Sequence, residues 1–369
     1  TRSQPNWVEL EVSWENLSMV LQALQKRMKT FQEGIDDLAT GGFESKCLEN
    51  LAEELTGASR QLGELLTNLE AWVMRPNENG IYWAELGTPD RRYRRVSLCA
   101  APLRIGPLVD SHILFRNDTV ILTAATLRTA GGFDYVRDRL HAYDADTTAV
   151  GSPFNYRDNT LLYLPSDLPE PTASGYQTAV EQSLIALAKS IGGRTLALFT
   201  SYAQLRRTAQ TITAPLAAAG IEVLSQGTGS PRHQLLETFK TSENKILLGT
   251  RSFWEGVDVV GSALSALVLV RLPFAVPSDP VVAARSETFD DPFYHYSVPD
   301  AILRFRQGFG RLIRSKSDRG VVVVLDKRVQ TKNYGQLFLD SLPECTVQKA
   351  PLVDLPKAAK RWLQTEPPI

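Results

Sequence analysis

Six short apolar runs punctuate the chain at 161–164, 195–200, 221–225, 246–249, 266–272 and 321–325, and most carry apolar residues at consecutive positions. Successive residues of a strand point to opposite faces of a sheet, so a strand that is apolar at every position must be covered on both sides. Between these runs lie stretches with helical spacing at 176–190, 202–219, 232–240, 279–288 and 300–314. Strands alternating with helices favour parallel pairing. The expectation is an α/β fold in which a parallel sheet carries helices on both faces.

The first eighty residues obey a different rule. Leu10, Trp14, Leu17, Leu21, Leu24, Met28, Phe31, Ile35 and Leu38 follow at alternating spacings of four and three, an apolar seam of period 3.5. A second seam, Leu48, Leu51, Leu55, Ala58, Leu62, Leu65, Leu69 and Trp72, follows Gly41-Gly42, and Pro76 closes it. Two helices with a glycine turn between them predict a long antiparallel helical hairpin, each arm about 45 Å at about 1.5 Å per residue, whose seams form its own core. Strand-like runs then follow at 81–86, 96–100 and 119–122. The last is read as a buried strand ending in Thr123-Ala124-Ala125-Thr126-Leu127, with its hydroxyls at the carboxyl end where open α/β sheets place ligands.

The 369 residues hold 40 Lys and Arg against 41 Asp and Glu, so contact with a polyanion must be local rather than a property of the whole surface. Arg91-Arg92-Tyr93-Arg94-Arg95 is one local candidate; a short basic run is also what a solvated loop or edge strand presents. Cys47, Cys99 and Cys345 are far apart, with no C-x-x-C pair, which argues against a structural zinc, an iron–sulfur cluster held by this chain alone, or a disulfide framework. No metal site is expected. No apolar run approaches the roughly 20 residues that span a bilayer, and Thr1-Arg2-Ser3-Gln4-Pro5 does not resemble a signal peptide. The expectation is a cytoplasmic protein without a membrane partner.

Chemistry concentrates in a few loops. Gln307-Gly308-Phe309-Gly310-Arg311-Leu312-Ile313-Arg314 puts two arginines three apart, on one face if helical, where planar guanidinium groups can stabilise a transferring γ-phosphoryl group. The alternative is the solvated face of an amphipathic helix, but Gly308 and Gly310 weaken a helix by about 1 kcal/mol each relative to Ala. Close approach of a nucleotide or another chain would explain them. Phe199-Thr200-Ser201-Tyr202 leaves a strand and opens a helix, so Thr200 and Ser201 either hold a phosphate or cap the helix. Gly249-Thr250-Arg251 ends another strand. The Phe253-Trp254 pair after it either stacks on a base or packs beneath the loop, with packing the safer reading. Glu255 and Asp258 bracket Gly256, with carboxylates suited to orienting the arginines or holding a ribose hydroxyl. No Gly-x-x-x-x-Gly-Lys-Ser/Thr occurs, and no Asp-Glu pair ends an apolar strand to hold magnesium.

Together these stretches resemble the DinG/XPD-type branch of superfamily 2 DNA helicases. Residues 123–127 look like motif III, 198–202 like motif IV, 249–261 like motif V and 307–314 like motif VI. Gly151-Ser152-Pro153-Phe154, Arg271-Leu272-Pro273-Phe274-Ala275-Val276-Pro277 and Asp318-Arg319-Gly320 are also similar to that family. The resemblance implies a RecA-like fold and a chain made of an arch-like hairpin (1–78), the end of motor domain 1 (79–130) and motor domain 2 (131–369). It implies Gln307, Arg311 and Arg314 as catalytic groups facing ATP, with Glu255, Gly256, Asp258 and Gly308 at the nucleotide or coupling it to DNA. Thr200, Ser201, Tyr202, Thr250 and Arg251 are implied to touch single-stranded DNA, and Thr123 and Thr126 to couple the two sites. ATP and Mg²⁺ would act in the full-length protein together with an N-terminal motor half absent from this sequence, with 5′ to 3′ polarity and a role in DNA repair or replication-coupled unwinding. Any iron–sulfur cysteines would lie upstream. This chain is expected to be inactive alone. The competing reading is a non-catalytic module that binds single-stranded nucleic acid or a partner. A small-molecule α/β enzyme is disfavoured by the lack of a dinucleotide fingerprint or nucleophile elbow.

Overall fold

The structure is a computed structural model that describes residues 4, 6–41, 46–87, 95–129, 132–241, 244–254 and 264–365. The chain divides into two compact units, Thr1–Arg104 and Ile105–Ile369.

In the first unit, α1 (Trp7–Thr40) and α2 (Lys46–Val73) are the two predicted helices. They run antiparallel: Trp14 Nε1 donates to Glu70 Oε2 at 2.7 Å and Gln32 Nε2 to Thr56 Oγ1 at 2.8 Å. Trp7 stacks on Trp72 with ring centroids 5.6 Å apart. Strands β1 (Gly80–Leu86) and β2 (Val96–Pro102) pair antiparallel in the register Gly80 to Pro102.

The seams do not serve as the hairpin's core in the way the spacing predicts. Trp14, Ile35, Leu66 and Val73 are buried, yet Leu17 and Leu24 are each 48% exposed and Phe31 56%, and Leu10, Leu38, Leu51 and Leu65 are exposed as well. At about 100° per residue, positions 10, 17, 24, 31 and 38 sit about 40° away from 14, 21, 28 and 35. The line of contact with α2 passes on the far side of the latter, so Glu11, Ser18, Gln25 and Gln32 are half-buried in place of the leucines. A single helix partner covers only one narrow stripe.

The second unit holds a seven-stranded, wholly parallel sheet in the order β5-β6-β4-β7-β8-β3-β9. Its strands are β3 (Thr160–Pro165), β4 (Thr195–Leu198), β5 (Glu222–Ser225), β6 (Lys245–Gly249), β7 (Ala266–Leu269), β8 (Gly320–Val324) and β9 (Thr346–Ala350). Alternate residues feed two separate cores. Leu162, Leu164, Leu196, Leu198, Leu267 and Leu269 pack with the helices Arg232–Lys240 and Val298–Phe309. Leu161, Tyr163, Ala197, Ile246, Val268 and Val323 pack with the helices Tyr176–Ile191, Tyr202–Ala217 and Leu355–Gln364. The predicted two-faced parallel sheet is the one present. Asp326, fully buried, accepts from the backbone N–H of Leu272 and forms a bidentate pair with Arg328, whose pKa this hydrogen bonding raises. It ties the loop after β7 to the end of β8.

Two elements depart from expectation. Residues 119–122 form no strand, and Ile121 is 83% exposed, because among the described residues no neighbouring strand takes up their backbone hydrogen bonds. The helix expected at 300–314 is Val298–Phe309, so Arg311 and Arg314 do not share a helical face. Gly310 caps the helix, and buried Asp318 accepts from the backbone N–H groups of Arg314 and Ser315 at 2.7 and 2.8 Å, holding 311–318 as a turn.

Candidate nucleotide cleft and the polar edge beside it

Past the end of the helix Val298–Phe309, Leu312 and Ile313 are buried and the flanking Arg311 and Arg314 turn the other way. Both line a cleft of about 990 Å³ within the second unit, together with Gln307, the stretch 122–129, the stretch 148–154 and residues 340–343. The turn thus achieves what the expected helix would have achieved: two guanidinium groups face one space. Gln307 Nε2 donates to Thr126 Oγ1 at 3.4 Å, while Gln307 Oε1 is buried and meets no hydrogen-bond donor among the described residues. That amide oxygen is an unsatisfied buried acceptor on a residue that lines the cleft.

The cleft's walls are set by packing. Tyr156 lies against Phe309 with centroids 5.8 Å apart and against Phe154 at 6.2 Å. Burial raises the pKa of the Tyr156 hydroxyl, and a hydrogen bond from Ser152 and the charge of Arg314 oppose that rise. The Arg306 guanidinium donates to the backbone carbonyl of Arg128, and burial, aided by the charge of Arg128, lowers its pKa. The helix that carries Gln307 is thereby joined to the threonine-bearing stretch. Thr123 is exposed on the cleft wall and Thr126 half-buried.

Gly308 does not line the cleft. A Cβ there would stand 2.8 Å from two ring carbons of Trp254, so the glycine admits an indole and not a nucleotide. Phe253 and Trp254 are buried, which realises the packing alternative, and Trp254 Nε1 donates to the carbonyl of Phe199 at 3.3 Å. Arg311 Nε donates to the Trp254 carbonyl at 3.2 Å. Glu255, Gly256 and Asp258 lie outside the described residues, as do Arg91 to Arg94 and Gly42.

The loops leaving β4, β5 and β6 form a separate polar edge. Ser201 caps the helix Tyr202–Ala217, its Oγ accepting from Gln204 N at 3.4 Å, and Thr200 is exposed beside it. Thr250 is 5% exposed, and both its N–H and its hydroxyl donate to Gln226 Oε1 at 2.8 Å. Arg251 is exposed. Gln226 follows β5 as Thr200 follows β4, so the rule that places ligands at loops leaving strands marks it as well. Among the described residues no group of three His, Cys, Asp or Glu is placed to hold a metal, and no helix is long and apolar enough to cross a membrane.

Residues 184–345 match the family model described as the helicase C-terminal domain. The chain is 34% identical to the 3'-5' exonuclease DinG of Bacillus subtilis (strain 168), over 93% of this chain and 38% of that protein. It is 33% identical to the ATP-dependent DNA helicase YoaA of Haemophilus influenzae, over 92% of this chain and 50% of that one. The chain is a DinG-like sequence that carries a helicase C-terminal domain. A solved XPD helicase superposes with a TM-score of 0.54 at 16% identity, covering 86% of this chain and 55% of that one, a likeness of fold that makes the sheet RecA-like. The chain spans half or less of the length of these two DinG-type relatives.

Proposed function

We propose that this chain provides the arginine-bearing half of an ATP-driven DNA helicase. The observation that carries the reading is the convergence of Gln307, Arg311 and Arg314 on one cleft, opposite Thr126. Two permanent cations three residues apart suit the charge that spreads over a γ-phosphoryl group in flight, with Gln307 beside them on the cleft wall. The cleft's size and charge fit a nucleoside triphosphate. On this reading the magnesium ion that accompanies such a ligand would be held, with the phosphate-binding loop, by the other motor half. On this reading 1–78 is an arch-like hairpin, 79–130 the end of motor domain 1 and 131–369 motor domain 2.

Closure around ATP gives Arg311 a phosphate partner while it keeps the Trp254 carbonyl. That carbonyl ends the short helix Arg251–Trp254, whose first residues belong to the edge proposed to hold single-stranded DNA through Thr200, Ser201, Tyr202, Thr250 and Arg251. Phosphate chemistry and DNA grip are thus joined by one hydrogen bond. Likeness to DinG supports 5′ to 3′ travel, a cytoplasmic setting and work in DNA repair.

The test is DNA-stimulated ATP hydrolysis by this chain with the other motor half supplied in cis or in trans, beside Arg311→Ala. The reading expects silence from this chain alone, activity on completion and its loss in the variant, with single-stranded DNA still bound. Hydrolysis unchanged by Arg311→Ala removes the arginine assignment. Silence throughout, with DNA bound, leaves a non-catalytic binding module.

A further inference from the structure

The polar edge contains a hydrogen-bond hub whose polarity follows from one backbone group. Strands β5, β6 and β4 are neighbours, so Gln226 after β5, Thr250 and Ser252 after β6, and Tyr202 after β4 leave the sheet side by side. Gln226 N donates to the Leu248 carbonyl at 3.0 Å, which fixes where this side chain begins. The backbone N–H of Thr250 can only donate, so the Gln226 atom 2.8 Å from it must be the oxygen Oε1. The other end of the amide is therefore the NH₂ group. Its two hydrogens go to the Tyr202 hydroxyl and to Ser252 Oγ, the latter at 2.9 Å. The Thr250 hydroxyl, 2.8 Å from Oε1, spends its own hydrogen on that oxygen.

This arrangement divides the three hydroxyls. Thr250 is buried and its hydroxyl hydrogen is spent on Gln226, whereas Tyr202, 48% exposed, and Ser252, also exposed, act as acceptors toward the protein. Among the described residues neither hydroxyl hydrogen has a protein acceptor, so both remain available to solvent or ligand. Gly227, at φ +90°, lets the chain turn beside the tyrosine ring, 3.8 Å from the position a Cβ would take. Exposed Arg251 stands next to Ser252. A pair of outward hydroxyl donors beside a cation matches an anionic oxygen, and poorly matches a base edge that must both donate and accept.

We propose that Gln226 is a positioning residue which holds the Tyr202 and Ser252 hydroxyls as a paired donor for one phosphodiester group of single-stranded nucleic acid. This rests on the helicase reading above and deepens it: Tyr202 and Ser252 make the contact, and Thr250, expected to touch DNA, supports them instead.

The experiment measures binding of a fluorescent single-stranded oligothymidylate to the whole chain across a salt series. Gln226→Glu is the informative variant. It keeps the acceptor for Thr250 but replaces the NH₂ group with a second acceptor oxygen, so both hydroxyl hydrogens turn inward. Tyr202→Phe with Ser252→Ala removes the donors themselves and is expected to weaken binding by roughly tenfold or more, because hydrogen bonds to an anionic oxygen are charge-assisted, with the salt slope unchanged. Arg251→Ala should lower that slope. Gln226→Glu should cost several-fold more affinity in the wild-type background than in the Tyr202→Phe, Ser252→Ala background, where only its added charge acts. Equal losses in both backgrounds, or no loss from the double variant, overturn the proposal and leave DNA binding standing. A wild-type chain that binds no oligothymidylate overturns this proposal and the DNA reading together. Competition by inorganic phosphate at the same total phosphate would reassign the pair to a free anion. Unfolding midpoints within a degree or two of wild type identify which variants are folded; Gln226→Leu serves as the second test of the hub should Gln226→Glu fail to fold.

Discussion

Arg311 donates from Nε to the backbone carbonyl of Trp254, 57 residues earlier in the chain and 3.2 Å away. A carbonyl oxygen is a fixed acceptor, so this bond helps to set the plane of a guanidinium group that lines the cleft. A lysine has the charge without the fork. Arg311→Ala is expected to lower kcat for DNA-stimulated ATP hydrolysis by about 10³-fold in the complete motor, and Arg311→Lys to recover little of it. Steady-state ATPase assays on both variants check this.

Gly308 is a packing requirement. The Trp254 ring that a new methyl would meet at 2.8 Å is anchored by its own hydrogen bond to the Phe199 carbonyl. Gly308→Ala gains about 1 kcal/mol of helix propensity and loses about 1–3 kcal/mol to overpacking. A net fall in Tm follows, read by thermal unfolding. In a Trp254→Leu background, where the ring is gone, the same alanine should be neutral or stabilising.

The hairpin predicts a contrast between residues of one seam. Trp14 is 5% exposed and hydrogen-bonded to Glu70, so Trp14→Ala should destabilise by about 3–5 kcal/mol. Leu24 is half exposed, so Leu24→Gln should stay within about 0.5 kcal/mol. Urea unfolding followed by circular dichroism separates these outcomes. Equal losses at the two positions would mean that the seam is covered along its whole width.

Burial pushes the Cys345 thiol up to about 11, above the ordinary thiol range, whereas Cys47 is exposed. Maleimide at about pH 8 should therefore label Cys47 quickly and Cys345 only after unfolding. The folded state holds a proton that the unfolded chain begins to release near pH 9. This stabilisation is complete below that pH and is lost as pH rises through about 11. Mass spectrometry of labelled peptides, native against denatured, reads the first claim, and unfolding midpoints across that window read the second.

Much of this protein follows from sequence by local rules. Consecutive apolar positions in the runs around 161, 195, 246, 266 and 321 demand burial on both faces, and a parallel sheet between helices satisfies that demand. The 3.5 spacing of the first segment determines two long helices. The edge strand β9 was not legible, because Thr346-Val347-Gln348-Lys349-Ala350 has the alternating exposure of a strand paired on one side only. Nor was the loss of strand at 119–122, since β-structure depends on a neighbour as much as on propensity.

At the site, the residue types were legible and their arrangement was not. The motifs pointed to Gln307, Arg311 and Arg314, but a helix was the wrong device for presenting Arg311 and Arg314. Gly310 and the Asp318 clasp end the helix and still aim both arginines into one cleft. The role of Gly308 depends on a tryptophan 54 positions away, and that of Gln226 on which of its amide atoms meets Thr250. Sequence by itself determined the elements and the chemistry available, because periodicity and residue type act locally. Tertiary structure alone decided which seam residues are covered, which arginines share a space and which hydroxyls point outward, because each of those depends on a partner distant in the chain.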